Sequence, residues 1–226
     1  LGSMGGHLEP LPLFPLHTVL FPYAPLQLHV FESRYRELIQ YCSEEDTGFG
    51  IVLIRQGAEV GGEAEPYMVG TAVRIVDVRT NADGTLAVQV VGQRRFRIRR
   101  MDDDRPYLVG QVERVVEMEV EDSPRCDALV LKTREYLKQY FEGHFAQFDM
   151  KVAEVRLHED PTVLSFQVAS LLHVDDRQKQ YLLEMTDTLE RLSTMLPMLE
   201  QLILEAEPGP VQPMHRQDHE GWIFKN

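Results

Sequence analysis

The sequence predicts an α+β protein in two parts: a β-rich unit holding one helix, followed by an α-helical bundle. Three observations carry this. Through the first half, apolar residues alternate at period two between clusters of Gly, Pro and Asp, the pattern of strands. From about residue 121 the pattern changes to helix start signals followed by apolar residues at helical spacing. Charge changes with it. Residues 8–116 hold 15 acids and 12 bases, all of the bases arginine, whereas residues 117–207 hold 19 acids and 9 bases.

The β-rich unit is assigned to residues 8–120. Leu11-Pro12-Leu13-Phe14-Pro15-Leu16 is an extended lead-in with a turn, because three prolines including Pro22 fix φ and withhold donors. Pro25 to Phe31 sets Leu26, Leu28 and Val30 against Gln27 and His29. A helix over about 33–42 follows, with Tyr35, Leu38, Ile39 and Cys42 on one face. Gly50 to Arg55 is a short apolar run that suits a buried strand. Val69 to Val78 and Leu86 to Val91 are strands joined by the turn sequence Asn81-Ala82-Asp83-Gly84. Arg95 to Arg99 and Tyr107 to Val116 complete about six strands. Asp102-Asp103-Asp104 reads as a solvated turn.

The bundle is assigned to residues 121–207. Ser123-Pro124 begins a helix to about Phe141, with Leu129, Thr133, Leu137 and Tyr140 as its apolar stripe. Asp160-Pro161 begins another, to about Leu172. Asp175 with Gln178 and Asp187 with Glu190 read as capping boxes for two more. Pro197 lies inside the last and is expected to kink or split it. Residues 1–7 read as a cloning scar and a flexible start, with Met4 as the native first residue. Residues 208–226 read as a flexible tail, in which Trp222 opens an apolar triplet.

Composition limits the function. With 43% hydrophobic and 26% charged residues the chain can build an ordinary core. A net charge of −13 argues against nucleic acid as partner, because that affinity comes largely from cations neutralising phosphates. No apolar run reaches the ~20 residues of a membrane helix, and no signal peptide opens the chain, so the cytoplasm is the expected compartment. Cys42 and Cys126 belong to no ligand-spaced motif and read as buried small side chains.

Reaction motifs are missing too. No Gly-Lys pair exists for a phosphate loop, there is no G-x-S-x-G elbow, and His158-Glu159 has no second His in zincin register. His215 and His219 are four apart but lie in the Pro-rich tail. No catalytic residue, metal or cofactor is therefore expected.

Three features remain as candidate binding elements. Phe21 and Tyr23 follow the proline-rich lead-in and suggest an exposed apolar rim. Phe31-Glu32-Ser33-Arg34-Tyr35-Arg36 joins a strand to a helix start, where Glu32 suits the helix dipole. In Arg94 to Arg100, strand alternation puts Arg95, Arg97 and Arg99 on one face and Phe96 and Ile98 on the other. That strip suits an anionic ligand or a peptide backbone.

In this order, these features resemble the amino-terminal substrate-binding domain of Lon-type ATP-dependent proteases. The resemblance covers about residues 11–205. It rests on Leu11 to Leu16, Val19 to Pro22, Leu28 to Arg36, Phe49 to Leu53, Val69 to Ile75, Val91-Gly92 with Arg95-Phe96, and Lys179-Gln180 with Leu183-Glu184. It implies a PUA-like β-pseudobarrel followed by an α-helical bundle. It also implies a role without catalysis, since the ATPase and Ser-Lys peptidase motifs of a full Lon protease are missing here. The expected function is recognition of unfolded or flexible polypeptide by a stand-alone Lon-domain protein, as an adaptor or chaperone-like factor, with a protease or chaperone as further partner. Phe21, Tyr23, Phe31, Arg34, Tyr35, Arg95, Arg97 and Arg99 are the expected binding residues. Met185, Met195 and Met198 would add an adaptable surface. The alternative is an RNA-binding PUA-like module using the Arg94–Arg100 strand. Self-association through the apolar face of the last helix is a further expectation.

Overall fold

The structure, a computed structural model, describes residues 7–61, 64–102, 104–146 and 156–205. The expected tail, its histidines and Trp222 lie outside them, as do residues 1–6. Among the described residues, seven strands and five helices follow in order: β1 (Glu9–Leu16), β2 (Pro25–Val30), α1 (Ser33–Glu44), β3 (Phe49–Gly57), β4 (Ala64–Pro66), β5 (Val69–Thr80), β6 (Leu86–Asp102), β7 (Val109–Arg114), α2 (Pro124–Ala146), α3 (Pro161–Leu171), α4 (Asp176–Glu184) and α5 (Thr188–Glu205).

The strands run β1-β7-β6-β5-β3-β4, and a parallel pairing of Leu13–Leu16 with Gly50–Leu53 joins β1 back to β3. The sheet therefore closes on itself, which removes most free edges. β1 is a true strand, not only a lead-in: Glu9–Pro12 pair with β7 before the chain switches to β3. The two strands expected at Leu86–Val91 and Arg95–Arg99 are one strand of 17 residues. Gly92 does not break it. A Cβ there would sit 2.4 Å from the Phe21 carbonyl oxygen, so the glycine marks a close backbone approach. β2 pairs with the first part of β6, and β7 with the last part.

Inside the barrel, Phe14, Leu28, Val30, Phe49, Val73, Val88 and Val90 form one apolar cluster, completed by Tyr35, Leu38, Ile39 and Cys42 of α1. A second cluster is shared between the two halves of the chain. Val19, Phe21, Leu53 and Val69 from the barrel pack with Leu164, Phe166, Leu182, Leu192, Met195 and Leu199 from the bundle.

The helix starts follow the sequence. Asp160 accepts the Val163 amide, Asp175 and Gln178 form a complete capping box, and Asp187 accepts the Leu189 and Glu190 amides. Thr133, Leu137 and Tyr140 are buried on α2 as the stripe requires. Pro197 does not split α5, which runs unbroken from Thr188 to Glu205 with the proline on its exposed side. Met185 and Met195 are buried in the bundle, and Met198 packs against that core. They are core side chains rather than an adaptable surface, because the same helical spacing that groups them turns them inward.

Candidate functional site

The start of α1 organises a stretch where an exposed aromatic borders an apolar groove. β2 ends at Val30, and Phe31 and Glu32 carry the chain into the helix. Glu32 is extended, at φ −71° and ψ 137°, and makes no side-chain cap. Its carboxylate accepts the Arg34 Nε–H at 3.1 Å and the Gly61 amide at 3.2 Å. Glu59, on the same loop as Gly61, accepts the His17 amide at 3.0 Å. These bonds hold the loop after β3 against the start of α1 and the end of β1. Between the loop and β2 runs a groove of about 290 Å³, touched by Leu16, Thr18, Glu59, Val60 and Tyr35 and by each residue from Leu26 to Glu32. Phe31 and Val60 stand at its edge, 48% and 55% exposed, and the Phe31 ring lies 6.0 Å from that of His29.

The expected binding residues divide sharply. Tyr35 is not exposed. It stacks on Phe14 with ring centroids 4.2 Å apart, under the Arg34 guanidinium at 4.6 Å, and burial raises its phenol pKa. Tyr35 and Arg34 thus support the groove from below. Phe21 forms no rim either: it is 1% exposed because the bundle docks over it, its ring 6.4 Å from Phe166. Tyr23 does stand out, at 52% exposed. It adopts φ +68°, unusual for a residue with a Cβ, and donates its amide to the Gly92 carbonyl at 2.9 Å.

The arginine strip is also corrected. Arg95 is 2% exposed, Arg97 is half-buried and Arg99 is exposed. Strand alternation holds, but the bundle covers one end of that face. Most of the remaining charge is internally neutralised. Arg94 pairs with Glu9, Arg99 with Glu113 at 2.5 Å, and Arg100 with Asp102 at 3.1 Å.

Arg95 instead joins a polar centre that single-strand reasoning could not see. Its guanidinium donates to the Leu183 and Met185 carbonyl oxygens and pairs with Glu117, which lies between β7 and α2. Arg191, from α5, meets the other Glu117 oxygen at 2.9 Å and also bonds Met185 O and Ser165 Oγ. The Phe166 ring lies under both guanidiniums, at 5.2 and 4.0 Å from its centroid. Burial pulls both arginines below their ordinary pKa, and Glu117 opposes the pull. The only sequence signal was the placement of Arg191 on the apolar stripe of α5. This centre binds the two halves together rather than a ligand.

Little else on the described surface is arranged for chemistry. A wider depression of about 560 Å³ lies between α1 and the β5–β6 hairpin, where Arg36 reaches Gly84 O at 3.4 Å. Among the described residues, no three His, Cys, Asp or Glu side chains are grouped to hold a metal, and no helix is long and apolar enough to cross a membrane.

Residues 10–201 match the family model for the ATP-dependent protease La (LON) substrate-binding domain. Lon protease 2 of Syntrophobacter fumaroxidans is 32% identical over 183 residues, covering 80% of this chain and 23% of that protein. Lon protease 2 of Herpetosiphon aurantiacus is 32% identical over 198 residues, covering 85% of this chain and 24% of that protein. The chain thus spans about a quarter of the length of the curated relatives it matches. Among solved structures, the Lon N-terminal domain protein from Xanthomonas campestris superposes with a TM-score of 0.63 at 31% identity, covering 84% of this chain and 98% of that one. The N-terminal domain of a Mycobacterium avium complex Lon protease gives 0.62 at 20% identity, covering 85% and 98%, and so supports the fold alone.

Proposed function

The chain belongs to the family of Lon protease substrate-binding domains, and from that premise we propose that it recognises flexible or unfolded polypeptide without catalysing a reaction on it. The observation that carries the reading is Phe31. It is a large aromatic left about half exposed at the edge of an apolar groove, on a frame held by Glu32, Arg34 and Gly61. A rigid frame beside exposed apolar surface lowers the ordering cost of binding an extended chain. Tyr23, held in a left-handed conformation, is a second exposed aromatic whose retention suits recognition better than stability.

Arg34 and Tyr35 act through the groove rather than on its occupant. Arg97 and Arg99 lie on the part of β6 beyond the β2 pairing and do not line the groove. The natural consumer of a captured polypeptide is a protease or chaperone, for which this domain would serve as receptor or adaptor. The RNA-binding reading loses its basis, because Arg94, Arg95, Arg99 and Arg100 are committed to carboxylates within the chain. Titration of the chain with a permanently unfolded model protein and with its folded form tests the reading. Saturable binding to the unfolded form alone is expected, and equal or negligible binding to both would refute it.

A further inference from the structure

Resting on that reading, we propose that the free edge of β2 takes up an extended, basic-flanked polypeptide segment as an added antiparallel or parallel strand, with an apolar side chain in the groove and a Lys or Arg against Glu59. β2 pairs with β6 along one edge, and no described strand pairs along the other. Successive residues of a strand point to opposite faces. A groove touched by every residue from Leu26 to Phe31 therefore runs along the edge of the strand and not over one face.

The phase of the ladder says which groups that edge presents. The Gly92 amide donates to Ala24 O at 2.9 Å, opposite in register, so the bonded positions facing β6 continue at Leu26, Leu28 and Val30. The amides and carbonyls of Gln27 and His29 then face outward. Proteins usually blunt such an edge with charge, a proline or a bulge. β2 has its proline at the first residue, and no charged side chain from Leu26 to Val30. Its outer edge is open where a solitary strand would invite a partner.

The charge of the opposite wall selects the occupant. Glu59 accepts one backbone amide and forms no ion pair among the described residues. Glu32 beside it already holds Arg34. An incoming cation would complete Glu59, while an acidic segment would meet two carboxylates. The same charge disfavours a second copy of this chain, since pairing two β2 edges would bring together two acidic grooves on chains of net charge −13.

The test uses the full chain and a labelled ten-residue peptide of alternating valine and threonine with lysine at both ends. Two controls accompany it: the same peptide ending in glutamates, and the lysine peptide with methylated backbone nitrogens. An unfolded model protein is titrated in parallel. Each control is expected to bind roughly tenfold or more weakly than the lysine peptide, since one removes a charge-assisted contact and the other the strand donors. Glu59→Lys should reverse the order of the lysine and glutamate peptides. Equal binding of the methylated and unmethylated peptides would overturn the edge proposal even if the unfolded protein binds, leaving general recognition standing. Binding of neither peptide nor unfolded protein would overturn both. A dimer in sedimentation that the lysine peptide does not dissociate would assign the edge to a second copy instead.

Discussion

Arg95 and Arg191 donate to one acceptor: each guanidinium nitrogen lies 2.5 Å from the Met185 carbonyl oxygen, though one comes from the barrel and the other from the last helix. Both also share the Glu117 carboxylate, with side chains 1% and 0% exposed against 25% for the glutamate. Two buried cations around one anion hold only while that anion stays. Met185 caps the end of α4, so the same centre fixes how the bundle sits on β6.

Glu117→Gln should therefore cost about 3–5 kcal/mol, as expected when one partner of a buried ion pair is removed and the other charges stay. In urea the midpoint should fall by about 1–3 M with an unchanged slope. Adding Arg95→Met to that variant should cost much less than Arg95→Met alone, because the two act through one network. Additive costs would show that the arginines do not depend on Glu117.

Pro197 supplies a second test. It lies inside α5 on the exposed side, where it removes a helix donor without filling any core space. Pro197→Ala should stabilise the protein by about 1–3 kcal/mol. For a chain of this size that raises Tm by about 2–4 °C per kcal/mol. No change in Tm would mean that the bundle already compensates the missing bond.

Cys42 sets an alkaline limit. Burial pushes its thiol from the ordinary value of about 9 up to about 11, against a weaker opposing hydrogen bond with Thr47. A raised folded pKa favours the protonated form. Its contribution is present in full below about pH 9 and is lost as pH rises through 11. Cys42→Ala should flatten the fall in stability across that window, leaving the part due to Tyr35, Tyr107 and Tyr140, whose phenols burial also raises. In the folded protein at neutral pH the thiol should react with Ellman's reagent at least tenfold more slowly than in guanidinium. Equal rates would contradict its burial.

Tyr23 separates recognition from folding. Asparagine tolerates the left-handed region better than tyrosine does, and Tyr23 is half exposed. Tyr23→Asn should leave stability within about 1 kcal/mol of the parent while weakening binding of unfolded polypeptide. A large loss of stability would assign Tyr23 to the fold instead, through its contact with Phe166 at 6.5 Å.

Local signals in the sequence were enough to locate most elements. Caps at Asp160, Asp175 and Asp187 start their helices where spacing predicted, period two located β2, a short apolar run located β3, and the turn at residues 81–84 marked the end of β5. β4 escaped because three residues carry no period. The strand expected to end at Val91 runs on through Gly92, which admits the Phe21 carbonyl. The site was harder to read for a related reason. Alternation put Arg95, Arg97 and Arg99 on one face, but period alone cannot say that a bundle 90 residues later will cover one end of it. Phe21 and Tyr35 are apolar positions of the same character as Tyr23 and Phe31. Only the docking of α3 and the packing of α1 on Phe14 separate buried from exposed. Glu59 and Val60 gave no signal at all, since their role comes from where a loop is tied down.

Amide hydrogen exchange of the full chain, with and without a saturating unfolded polypeptide, reads out whether the β2 edge and its groove take up that polypeptide. Slowed exchange is expected along residues 26–31, above all at Gln27 and His29, and in the loop around Glu59 and Val60, with α2 and α5 unchanged. Protection confined to the bundle, or none at saturation, would contradict it.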